Sequence, residues 1–133
     1  MTNLYQLQER EDAWVLSLNK PVTGLQLGMQ FILQLDDGEG RVSICIENVF
    51  QLIEGCIVRE FDPEQPATLG PTLVVIHKVV EQAIAWKNGR LDVRFEDGRR
   101  IVCYPHPQYE SWQIHAPDAS PPLILVSEIG SPL

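Results

Sequence analysis

A chain of 133 residues, 44% of them hydrophobic, carries enough apolar material for one core and too little for two ordinary domains. Eighteen acidic residues against ten basic ones leave a formal charge of -8. That field repels nucleic-acid phosphates and anionic lipid surfaces, and favours either plain solubility or a basic protein partner. Ten prolines and nine glycines interrupt any long helical pattern, and no apolar run approaches membrane-spanning length.

The stretch from Met1 to Ala13 lacks the basic start, apolar segment and small-residue cleavage site of a signal peptide, so the cytoplasm is the expected compartment. An opening strand is expected from Ala13 to Leu18, where apolar and polar residues alternate. A first β-meander then runs through Lys20 to Gly28, Met29 to Leu35, the turn Asp36-Asp37-Gly38, and Val42 to Ile46. Ile57 to Phe61 extends the same sheet after Gly55, which takes the first meander to about 13–61. Residues 62–77 form a connection holding Pro63, Pro66 and Pro71, with a short helix opening at Pro71 and ending near His77. A second meander follows within 78–129: Val79 to Trp86, Asn88-Gly89, Leu91 to Phe95, the turn Glu96-Asp97-Gly98, and Ile101 to Tyr104. Leu123 to Val126 supplies a last strand, and 1–133 is read as a single mainly β (α+β) domain.

The two meanders resemble each other. Leu33 to Gly38 aligns with Val93 to Gly98, and the tail from Glu47 to Leu52 aligns with that from Gln108 to Ile114. Two explanations stand: an internal repeat, or the common chemistry of any pair of hairpins with Asp-Gly turns.

Candidate chemistry is sparse. Cys45, Cys56 and Cys103 are odd in number and set among apolar neighbours, as reduced core cysteines are. Cys103, His106 and His115 are of metal-ligating type but lack a second close pair, so no metal and no cofactor is expected. A nucleophile elbow, a phosphate loop and a dinucleotide fingerprint are missing. The carboxylates of Asp36, Asp37, Glu96 and Asp97 fall at hairpin tips, where they favour turns and stay hydrated. With Glu39, Glu60, Asp62 and Glu64 they make eight candidate contacts for a basic partner. The alternative is a ligand pocket between the meanders, lined by His106, Tyr109, Glu110, Trp112 and His115.

The glycine-led hairpin from Asn88 to Val102, followed by the proline-bounded run Pro105 to Trp112 with its Tyr109-Glu110-x-Trp112 pattern, resembles a family of small uncharacterised bacterial proteins. The resemblance spans about Leu69 to Ile129; Glu128-Ile129 stands where a proline-glycine turn is common in that family. It implies a fold and no activity, and it transfers no functional residue. In type, though in no motif, the chain also looks like the immunity proteins that neutralise bacterial toxins: small, acidic and without chemistry of their own. The reading is therefore a non-enzymatic, acidic protein-binding domain whose partner is a basic toxin or another protein. A small-ligand binder or enzyme and a homo-oligomeric structural protein are the alternatives.

Overall fold

The computed structural model describes residues 6–119 and 122–127. Among them are eleven strands: β1 (Gln6–Glu9), β2 (Ala13–Leu27), β3 (Phe31–Asp36), β4 (Arg41–Ile46), β5 (Phe50–Glu54), β6 (Ile57–Phe61), β7 (Val79–Trp86), β8 (Leu91–Phe95), β9 (Arg100–Cys103), β10 (Trp112–Ala116) and β11 (Leu123–Val126). The protein is mainly β. The helix expected at residues 71–77 is a 3-10 helix over Gly70–Val75, preceded by a shorter one at Pro66–Thr68. It stops where Ile76 turns extended and His77 takes φ 72°. Among the described residues no helix is long and apolar enough to cross a membrane.

All strands pair antiparallel in the order β11-β10-β4-β3-β2-β7-β8-β9-β5-β6, with β1 on β2. This continuous sheet folds over on itself, so that Phe31 of β3 stacks on Phe50 of β5 at 4.6 Å although those strands are not neighbours in it. Between the two layers lies one core, with Leu16, Leu33, Ile44, Leu52, Val93, Ile101, Trp112 and Ile114 all buried. The alternation in β4 and β10, buried at Val42, Ile44, Ile46 and at Trp112, Ile114, Ala116, places these residues on the inner face.

Two expectations change here. Ala13–Leu18 and Lys20–Gly28 are not separate strands: β2 runs through both, kinked where Asn19 adopts φ 53° and the register with β7 slips between Ser17 and Lys20. The sheet also does not divide by meander. β5 leaves the first meander to pair with β9, and β10 leaves the second to pair with β4, so each meander gives its fourth strand to the other. β6 follows β5, and therefore extends the second meander's sheet, not the first. Local patterning specifies a strand and its faces; its neighbour is chosen by packing.

This exchange is symmetric. Replacing β2–β6 by β7–β11, and the reverse, leaves the strand order unchanged when it is read from the other end. The registers agree: Leu33 pairs with Ile44 and Ile44 with Ile114, while Val93 pairs with Ile101 and Ile101 with Leu52. The axis passes beside Pro21 and Val79, which face each other: Lys20 pairs with Val80, and across the axis the Val22 N–H donates to the Lys78 carbonyl at 2.8 Å while the Val22 carbonyl accepts the His77 N–H at 2.7 Å. Among the described residues only Asn19 and His77 are non-glycine residues with positive φ, and they occupy equivalent places. So do Gly38 at φ 88° and Gly98 at φ 93°. Coincidence in two unrelated hairpins explains none of this; an internal repeat explains all of it.

Candidate functional site

The two crossovers, residues 47–49 between β4 and β5 and 104–111 between β9 and β10, run side by side. The Asn48 side chain donates to the Tyr104 carbonyl at 3.1 Å and accepts from the Tyr109 hydroxyl at 3.1 Å. His106 stacks on Tyr109 with ring centroids 4.0 Å apart, and its Nδ1 accepts from the Gln108 backbone N–H at 3.0 Å. Where these loops meet the β2–β3 turn, an open groove of about 520 Å³ forms. Leu27, Met29 and Ile32 make its apolar part, and Glu47, Glu64 and Tyr109 its polar part. Met29 is 72% exposed. Gly28, at φ 148°, gives the β2–β3 turn its shape.

The groove is negative. Partial burial raises the Tyr109 hydroxyl above its ordinary pKa, and the carboxylates of Glu64, Asp62 and Glu47 add to the rise. Glu47 is itself held by a hydrogen bond from the Gln30 side chain.

Of the eight candidate acids, Glu64 lines the groove and Asp62 stands behind it, its carboxylate accepting the Glu64 backbone N–H at 2.9 Å. The other six lie elsewhere. Asp36 accepts the Gly38 backbone N–H at 2.8 Å, and Asp97 accepts that of Arg99 at 3.0 Å and pairs with the same residue's guanidinium. Asp37 forms an ion pair with Lys20 at 2.6 Å, and Lys20 is only 2% exposed. That ammonium holds the Asp37 carboxyl below the usual carboxylate range. Glu39, Glu60 and Glu96 are exposed on their own strand or turn.

The five residues of the alternative pocket between the meanders do not share one, because packed core fills that space. Trp112 is part of that core, its indole N–H donating to the Gly89 carbonyl at 2.8 Å. Glu110 and His115 meet through Gln113 on the outer face of β10, at 2.9 and 2.8 Å. Tyr109 alone reaches the groove, with His106 stacked behind it. Glu47, which was not among the candidates read from the sequence, lines the groove with Tyr109 from the opposite crossover.

The cysteines divide. Cys103 is a core residue, its thiol pushed by burial up to about 12, and Cys45 is half-buried with its thiol raised for the same reason. Cys56 is exposed on the β5–β6 turn, so the expectation of a third core cysteine is corrected. No grouping of three His, Cys, Asp or Glu side chains able to hold a metal ion exists among the described residues.

Fold and groove thus define an internally duplicated β protein with exchanged strands and an acidic, partly apolar groove at its crossovers. The chain belongs to the DUF6188 family, a family of unknown function, whose model matches residues 14–125. The match takes in both meanders, where the resemblance seen in the sequence covered the second. No curated protein and no solved structure matches the chain.

Proposed function

We propose that this chain is a non-enzymatic, cytoplasmic protein-binding domain that receives a basic segment of a partner protein in the crossover groove. The observation that carries this reading is the groove's composition: Glu47 and Glu64 flank apolar Leu27 and exposed Met29, a combination suited to a lysine or arginine with an apolar neighbour. The net charge of -8 supports it by speeding encounter with a basic partner. Immunity to a basic bacterial toxin is the form of this role we favour.

Calorimetric titration with a lysine-rich peptide bearing one leucine tests the groove. Binding is expected to weaken about tenfold in Glu47→Gln/Glu64→Gln and to fall at high salt. Binding that ignores both the double variant and the salt would overturn the proposal. The immunity form further requires that the chain relieve the toxicity of a basic partner in a stoichiometric complex.

Homo-oligomeric assembly is a second reading, favoured by the exposed apolar residues on the two outermost strands: Ile57 and Val58 on β6, Ile124 and Val126 on β11. Sedimentation that gives a monomer at all concentrations removes it.

A further inference from the structure

The two halves of the molecule differ at one edge of the sheet. β7 pairs with β8 through Ala83 with Val93 and Ile84 with Asp92, and β2 pairs with β3 in the same register through Leu25 with Leu33 and Gln26 with Ile32. Each set follows an irregularity, between Val80 and Gln82 in β7 and between Val22 and Gly24 in β2. Residues 24–27 of β2 are therefore the counterparts of residues 82–85 of β7.

The outer edges of these counterparts are not alike. On the side away from β8, residues 82–86 pair with the first part of β2, from Ser17 opposite Gln82 to Ala13 opposite Trp86. On the side away from β3, the pairing of β2 with β7 ends at Pro21 opposite Val79, followed only by the bonds of Val22 with His77 and Lys78. Beyond them, residues 24–27 have no strand on that side among the described residues. The equivalence would set residues 71–75 there, but these coil into the 3-10 helix Gly70–Val75, whose Thr72 and Val75 are buried. Exposure follows the pairing. Ile84 and Ala85, flanked on both sides, are each 5% exposed, whereas their counterparts Gln26 and Leu27 are open to solvent, Leu27 at 37%.

An unpaired edge presents backbone N–H and C=O groups that another extended segment can complete. This one leads into the crossover groove: Gln26, Leu27 and Gly28 belong to its wall, with Glu47 and Glu64 at the Gly28 end. A Cβ built on Gly28 would meet nothing within 4 Å, so a neighbouring chain has room to approach.

We propose that the partner's basic segment docks as an added antiparallel strand along residues 24–28 of β2, in the place that Ala13 to Ser17 takes against β7; the inference rests on the groove reading given above. Because Ala13 lies opposite Trp86 and Ser17 opposite Gln82, the equivalent segment enters at Gly28 and leaves at Gly24. Its first residue then stands beside Glu47 and Glu64, which calls for lysine or arginine. Trp14 and Leu16, which hold the places corresponding to Leu27 and Leu25, both pack on the main core, so the segment's second and fourth residues are apolar. The partner sequence is thus a basic residue followed by an alternating strand, in that chain direction.

The test uses the full chain and the end-blocked peptide Lys-Lys-Val-Thr-Val-Thr, read by titration and by backbone amide hydrogen exchange. In the free chain, the amides between Gly24 and Leu27 that face away from β3 are expected to exchange about a hundredfold faster than their counterparts between Gln82 and Ala85, and saturating peptide is expected to slow them about tenfold or more. The reversed peptide Thr-Val-Thr-Val-Lys-Lys is expected to bind about tenfold more weakly. Methylating alternate peptide nitrogens is expected to abolish binding in one of the two frames, because it removes the N–H groups that β2 carbonyls accept. Binding that survives methylation in both frames yet weakens in Glu47→Gln/Glu64→Gln overturns the added strand and leaves the groove reading standing, whereas absence of any peptide binding overturns both. Equal affinity for the reversed peptide overturns the assigned direction and with it the proposal. Slow exchange of the same amides in the free chain at every concentration would show the edge filled by the chain itself, and slowing that grows with protein concentration would place a second copy there; either result overturns the proposal.

Discussion

Lys20 and Asp37 show how one residue's role depends on what lies beyond its own strand. A lysine at 2% exposure is tolerated because the β3–β4 turn brings a carboxylate to 2.6 Å. Asp37→Asn leaves the ammonium buried and unpaired, and is expected to cost about 2–4 kcal/mol in denaturant unfolding. Lys20→Met removes the charge along with the partner's role and is expected to fall within about 1 kcal/mol of the parent. The pH dependence follows from the lowered Asp37 pKa: the pair's contribution is complete above the ordinary aspartate range and is lost as pH falls through the depressed value. That acid-side loss should be absent in Lys20→Met. Thiol labelling makes a separate check on the cysteines. Exposed Cys56 should react with a maleimide in the native state, whereas Cys103 should react only on unfolding; equal rates would contradict the core placement of Cys103.

Among the elements, β2 carries the most consequence. Its kink at Asn19 lets one strand pair with β7 and β1 in its first part and with β3 in its last, which is how the sheet turns over on itself. A left-handed conformation suits asparagine or glycine and penalises a β-branched residue. Asn19→Val is therefore expected to lower stability by about 1–2 kcal/mol and Asn19→Gly to change it little. The equivalent pair at His77 should behave alike if the two kinks do the same work; a large effect at one and none at the other would show that they do not. The hairpins, by contrast, were readable in advance: Leu91, Val93 and Phe95 face inward as their alternation predicts, and the Gly38 and Gly98 turns hold positive φ. β1 could not be read, since all four of its residues are exposed and show no apolar alternation.

In the molecule as a whole, strand exchange ties the two halves into one folding unit. Neither meander completes its sheet without β5 or β10 from the other. Unfolding followed by tryptophan fluorescence and by far-ultraviolet circular dichroism should therefore give one coincident transition. Leu52→Ala on β5 should move it by about 2–5 kcal/mol in both signals together. Separated transitions would show that the halves are independent. The same exchange brings the two crossovers side by side, and so creates the groove that joins Glu47, Glu64 and Tyr109 from distant parts of the chain.

The sequence by itself determined the hairpin strands β3, β4, β7, β8 and β9, the Asp-Gly turns and the likeness of the meanders, because alternation and turn chemistry act over a few residues. It also determined the acidic charge. Only the tertiary structure decided which strands pair, that β5 and β10 cross between the meanders, and that Asp37 neutralises a buried lysine. Those outcomes depend on contacts between residues tens of positions apart, which the packing of the two sheet layers selects and local pattern does not encode.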